Sequence, residues 1–156
     1  MSNKLPANGL TELLTPETIR VHLLAASKEE ALKELCGLLC GAGLVRDQET
    51  VLTAVLDREK AGSTGCGSGV AVPHARMQGT DRTVLALGLS KSGIDFGALD
   101  GLPVKIFFLI VGPQKAPEVY LRLLSQIAGL IKEEEFREAL LSCESSTEVI
   151  VLFRTV

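Results

Sequence analysis

Hydrophobic and polar positions change their period along the chain, and each change marks an element. From Thr18 the alternation Ile19, Val21, Leu23 leaves Arg20 and His22 on the other side, the period-two pattern of a half-buried strand. Ser27 followed by Glu30 makes a capping box. Ala31, Leu32, Leu35, Leu38 and Leu39 then recur at helical spacing until Gly41 and Gly43 close the helix. Asp47 is suited to cap a second helix through Val51, Leu52, Val55 and Leu56, ending near Ala61 and Gly62. Strands are expected at 83–89 and 103–111, separated by turns at Ser92-Gly93 and Asp100-Gly101. The second runs through Val104, Ile106, Phe107, Phe108, Leu109, Ile110 and Val111 almost without a polar break, as a central strand buried on both faces does. Helical spacing returns with Val119, Leu123, Leu124, Ile127, Leu130 and Ile131. A shorter helix follows at 136–141, and Ser145 with Glu148 caps a last element through Phe153. This order predicts an α/β fold: a single-domain sandwich in which a mixed β-sheet is flanked by helices. Residues 1–12 are loosely patterned and read as a partly ordered lead-in to a domain at 13–156.

At 156 residues the chain is long enough to close a core without a disulfide or metal staple. Sixteen Lys plus Arg against nineteen Asp plus Glu leave a net charge of −3, so no broad basic field offers itself to a nucleic-acid backbone. No apolar run reaches the roughly 18–20 residues needed to span a bilayer. The first twenty residues mix Lys4, Pro6, Asn8, Glu12 and Pro16 into their apolar stretches, unlike a secretion signal. A cytoplasmic address is the default, with Cys36, Cys40, Cys66 and Cys143 reduced. Cys36 and Cys40 share a helix face at a spacing two metal ligands could use, but no histidine is near in sequence and packing is the better reading.

The chemistry gathers in one stretch. Gly62, Gly65, Gly67 and Gly69 fall within eight residues, and glycine contributes no side chain to a core, so loop geometry is their reason. A short strand at 70–72 follows, then Pro73, which fixes its own φ and constrains the backbone presenting His74. The neutral imidazole can accept a group, act as a general base, or bind a metal. Metal binding lacks local ligands. Hydrolysis with Cys66 as nucleophile and His74 as base is a second possibility, against which Cys66 reads as a small loop filler. Acceptance of a phosphoryl group fits best. Its oxygens need donors, and the stretch offers glycine N–H groups, hydroxyls on Ser63, Thr64 and Ser68, and the Arg58 guanidinium just upstream.

Arg58-Glu59, Ser63-Thr64-Gly65 and the run from Gly67 through Gly69 and Pro73 to His74-Ala75 together resemble the active-site signature of the fructose/mannitol-type EIIA family of the bacterial phosphoenolpyruvate-dependent phosphotransferase system. The resemblance continues through Gly93-Ile94-Asp95-Phe96, Asp100-Gly101, Pro103-Val104 and the helix starting near Pro117, and covers the chain from about Leu13 onward. It implies an α/β sandwich and a phosphohistidine carrier rather than a turnover enzyme, with no cofactor or metal. By it, His74 takes the phosphoryl group from a phosphorylated HPr-type carrier. Arg58 and Thr64 help to hold that group, with Ser63, Gly65 and Gly67 as further phosphate contacts. The chain has the length of a stand-alone EIIA without EIIB or EIIC segments. It is most similar to the nitrogen-regulatory EIIA, whose outputs are regulatory proteins and transporters. Alternatives are a sugar-transport EIIA that passes the group to an EIIB cysteine, or a binding module that kept the fold without phosphorylation.

One position departs from the family. A second histidine is usual in a His-Leu-x-Leu-Leu context, which here reads Tyr120-Leu121-Arg122-Leu123-Leu124. A phenol donates one hydrogen bond but stays neutral, whereas imidazole can also carry charge near pH 7, so the exchange favours a switch over a relay. His22, on the short first strand, has a structural or exposed role.

Overall fold

The computed structural model describes residues 9–156. Its elements are α1 (Leu10–Leu13), a 3-10 turn (Pro16–Thr18), β1 (Ile19–Arg20), α2 (Lys28–Gly41), α3 (Gln48–Lys60), β2 (Gly65–Gly67), β3 (Val70–Ala71), β4 (His74–Met77), β5 (Val84–Ile94), β6 (Val104–Pro113), α4 (Glu118–Ile131), α5 (Glu134–Leu141) and α6 (Ser146–Thr155). Most of the expected lead-in lies outside the described residues. Its final part forms α1, with Leu10 buried in the core.

The strands form one six-stranded mixed sheet in the order β1-β5-β6-β3-β2, with β4 also paired to β6. β5 and β6 run antiparallel, while β1 is parallel to β5 and both β3 and β4 are parallel to β6. The apolar run 104–111 is the centre of this sheet, and its period of two divides the core. Ile106, Phe108 and Ile110 join one cluster with Tyr120, Leu123 and Ile127 of α4 and with Phe136 and Phe153. Phe107, Leu109 and Val111 join another with Leu32, Leu35 and Leu39 of α2 and Val51 and Val55 of α3. Each such side chain, fully buried, stabilises the fold by roughly 1.5–3 kcal/mol before entropy is counted. A strand apolar on both faces therefore needs helices on both, and the chain supplies α2 and α3 on one and α4, α5 and α6 on the other.

The helix caps follow the sequence. Ser27 accepts a hydrogen bond from the Glu30 N–H, Asp47 from Glu49 and Ser145 from Glu148. The first strand is shorter than its alternation predicts. Pairing with β5 covers Ile19 and Arg20 only and returns as a single bond from the Leu23 N–H to the Leu89 carbonyl, after which the Glu34 carboxylate takes the N–H groups of Leu24 and Ala25.

In the glycine-rich stretch β3 is the short strand expected at 70–72, whereas β2 and β4 were not visible in the sequence pattern. Residues 65–71 make a hairpin, β2 to β3, closed by Ser68 and Gly69 with φ of 58° and 79°. A two-residue hairpin turn with positive φ at both positions is the geometry that matches strand twist, and it explains the glycine at 69. Beyond Pro73 the chain pairs with β6 again: the Pro73 carbonyl accepts from the Ile110 N–H at 3.0 Å, and β4 starts at His74. Proline removes a donor but keeps its acceptor, so it interrupts this edge strand without ending it.

Candidate functional site

His74 opens β4 opposite Ile110, and Arg76 lies opposite Gly112. Residues two apart on a strand share a face, so His74 and Arg76 both look toward the α4 side of the sheet. Tyr120, in the first turn of α4, meets the imidazole edge-on, with ring centroids 6.0 Å apart. Arg58, near the end of α3 on the opposite face, reaches the same place around the edge of β4. These residues line an open pocket of about 680 Å³, walled further by Ala54, Gln114, Leu121 and Leu124.

The imidazole is half-buried and its tautomer is fixed by its neighbours. Nδ1 lies 2.7 Å from the Val72 carbonyl oxygen, which can only accept, so Nδ1 carries the proton and Nε2 keeps its lone pair. Burial holds the His74 pKa below the ordinary histidine value. The Val72 carbonyl opposes that shift, the Arg58 guanidinium adds to it, and the Glu59 carboxylate opposes it. The ring is therefore neutral and nucleophilic at neutral pH. Burial pushes the Tyr120 phenol up to about 12 against the pull of Arg76 and Arg58, so it remains a hydrogen-bond donor.

Ser63, Thr64, Gly65 and Gly67 are not among the pocket's lining residues. The Thr64 hydroxyl and N–H both donate to the buried Glu59 carboxylate, which also pairs with Lys28 at 2.8 Å. Thr64 is tied to the site through its backbone, because its carbonyl accepts from the N–H of Val72, whose own carbonyl orients His74. The Ser63 hydroxyl donates to the Phe96 carbonyl and accepts from the Gly65 N–H, so neither group is free for a phosphate. Gly67 is opposite Val70, which pairs with Ile106, four residues along β6 from the partner of His74. At about 3.3 Å per residue that separation is roughly 13 Å. Gly65, Gly67 and Gly69 thus belong to a hairpin, with Gly67 well away from the imidazole.

Cys66 does not pair with His74. Its thiol faces the Thr64 carbonyl at 3.5 Å, and burial, followed by the Glu59 charge, pushes its pKa up, which disfavours a thiolate. Cys36 is buried in the α2 core, where burial raises its thiol to about 12. Among the described residues no group of three His, Cys, Asp or Glu is placed to hold a metal. His22 is exposed and pairs with Glu144 at 3.3 Å. Arg76 and Gln114 were missed by the sequence reading. The spacing His74-x-Arg76 would have found the first, had β4 been recognised as a strand.

A neutral imidazole with one free ring nitrogen, beside guanidinium and phenol donors in an open pocket, has the chemistry to attack as a nucleophile and to hold an anionic group. Residues 12–155 match the family described as phosphoenolpyruvate-dependent sugar phosphotransferase system, EIIA 2. The chain is 37% identical over 141 residues to the fructose-specific EIIABC component of the phosphotransferase system of Bacillus subtilis, covering 90% of this chain but only 22% of that protein's length. It is 34% identical over 137 residues to a nitrogen regulatory protein of Pseudomonas aeruginosa, covering 88% and 89% of the two chains. Among solved structures it is similar to the nitrogen regulatory protein IIA-Ntr of Neisseria meningitidis, with a TM-score of 0.85 and 32% identity over 91% of this chain and 97% of that one. The chain belongs to the EIIA 2 family of the phosphotransferase system.

Proposed function

We propose that this protein is a phosphoryl carrier that accepts the group on Nε2 of His74 from the phosphohistidine of an HPr-type carrier. The observation that carries this reading is the 2.7 Å contact between Nδ1 of His74 and the Val72 carbonyl. It leaves the other nitrogen unprotonated in an open pocket beside Arg58 and Tyr120. In-line attack by that nitrogen needs no general base, because the proton already sits on Nδ1. Arg58 and the Tyr120 hydroxyl supply donors to the equatorial oxygens. The added charge of about −1.5 to −2 changes the electrostatics of the surface around the pocket, where exposed Leu121 offers an apolar contact to a partner.

The output we favour is regulatory, in the nitrogen branch of the phosphotransferase system, from a cytoplasmic location. Similarity to the nitrogen regulatory proteins over most of both chains supports it, as does Tyr120 beside the imidazole in place of a second ionisable histidine. No helix among the described residues is long and apolar enough to cross a membrane. The 37% identity to a fructose-specific component favours a second reading, in which the group passes to an EIIB cysteine. Intact mass after incubation with phosphoenolpyruvate, enzyme I and an HPr-type carrier tests the carrier reading. Wild type and His22→Ala should each gain one phosphoryl group and His74→Ala none. Equal labelling of the two variants would refute the assignment.

A further inference from the structure

Arg76 lies outside the residues that carry the family resemblance, and its position calls for a reason. It is exposed, on the strand face of His74, with its guanidinium 5.8 Å from the centroid of the Tyr120 ring. Among the described residues no carboxylate lies within ion-pair distance of it. An arginine resting on an aromatic face makes a weaker contact than one forked onto a phosphate, so this is a contact it can give up for an anion. Arg58 approaches the same pocket from the other side of the sheet edge, and both positive charges pull the Tyr120 phenol pKa down against the effect of burial.

From this geometry we infer that Arg76 is a second phosphoryl-gripping guanidinium, parked on Tyr120 in the free protein and moving onto the oxygens of a phosphoryl group carried by His74, across the pocket from Arg58. The inference rests on the carrier reading above. In the transfer the Nε2–P bond forms as the donor's N–P bond breaks, and that electron pair stays on the donor nitrogen. The proton on Nδ1 of His74 remains in its bond to the Val72 carbonyl, so the phosphorylated ring is cationic and no proton has to leave. The outer oxygens keep their negative charge, and a neutral phenol cannot balance it. Two guanidinium groups can, at any pH from 5 to 9, because arginine does not titrate there. This protein thus replaces a titrating partner for the phosphoryl group by a permanent one, which keeps the phosphorylated state loaded and suits a switch.

The test uses the full-length protein loaded with phosphoramidate, a small donor that needs no partner protein. The half-life of the phosphohistidine is compared for wild type, Arg76→Ala and Arg76→Lys. Loss of a charge-assisted contact predicts a half-life shortened about tenfold in Arg76→Ala, with Arg76→Lys between the two. A second signal is independent of that chemistry. Tyr120 is the only tyrosine and the chain has no tryptophan, so tyrosine emission reports this ring alone. It should change on phosphorylation in wild type and stay constant in Arg76→Ala. Equal half-lives, or an emission change that survives in Arg76→Ala, would overturn the role of Arg76 while leaving the carrier reading intact. A shortened half-life accompanied by a lowered melting temperature would make the residue structural and also overturn it. Wild type that takes up no group at all would remove the carrier reading, and this inference with it.

Discussion

Tyr120 is held in the site by the absence of a side chain on the neighbouring strand, and this can be tested by restoring one. A Cβ on Gly112 would stand 2.7 Å from Cδ1 of Tyr120, 3.4 Å from its Cβ and 3.1 Å from the Thr83 hydroxyl oxygen. Carbon atoms pack best at about 3.5–4.0 Å, so the ring would have to retreat by close to 1 Å. Tyr120 is buried to 5% exposure and packs in the core with Leu123 and Ile127, which leaves it little room. Overpacking of this kind costs roughly 1–3 kcal/mol. Alanine also restricts the unfolded chain more than glycine does, which returns about 0.4–1 kcal/mol. Gly112→Ala should therefore lose about 0.5–2 kcal/mol, a fall in melting temperature of about 1–8 °C for a chain of this length. In a Tyr120→Ala background the ring is gone while the Thr83 contact remains, so the same substitution should be near neutral or slightly stabilising. Urea unfolding of the four proteins gives the coupling energy directly, with about 1–2 kcal/mol expected. A Gly112→Ala penalty that is the same in both backgrounds would refute the idea that this glycine exists to seat the tyrosine.

Three further outcomes follow from the site. On the carrier reading phosphoryl uptake needs the neutral imidazole, and because burial lowers the His74 pKa the rate should rise with pH to a plateau with its midpoint below 6.5; a midpoint above that value would contradict the buried setting. In stability terms the unfolded chain binds this proton more readily, so the folded state loses stability as pH falls from 6.5 through the lowered pKa, a slope that urea midpoints should show and His74→Ala should flatten. Glu59→Gln should keep an acceptor for Thr64 but strand Lys28, whose side chain is 32% exposed and can recover water. A loss of about 1–3 kcal/mol is expected, less than for a fully buried pair, and an unchanged unfolding midpoint would show that Glu59 does not hold this loop.

Where burial dictates residue type, the sequence was a good guide. The run 104–111 could only be a strand covered on both faces, and from Ile106 to Val111 its even and odd positions feed the two halves of the core. The helix starts were readable because Ser27, Asp47 and Ser145 are local devices, each satisfying a donor two or three residues on. The purpose of the glycines was less legible. Glycine permits a positive φ whatever the purpose, and at 69 the purpose is a hairpin turn. Ser63 and Thr64 look like free donors in sequence, but an acceptor 33 residues away and a carboxylate on the preceding helix have taken them.

The pocket itself is a product of tertiary structure, which is why only part of it was legible. Its parts come from α3, β4 and α4, and they meet because β4 is an edge strand that a helix on either side of the sheet can reach around. Pro73 hid that strand. A proline after three apolar residues reads as an end, whereas here its carbonyl keeps the ladder going and the chain re-enters the sheet at His74. With β4 in place the alternation His74, Ala75, Arg76 sorts itself: Ala75 turns into the core under α2 and α3, and the imidazole and guanidinium turn outward together. The same register sets Gly112 against Arg76, so the gap that admits the Tyr120 ring and the cation that rests on it are fixed by a single strand pairing. His74, Arg76 and Tyr120 are thus one geometric unit, and a shift of β4 by one residue along β6 would separate all three.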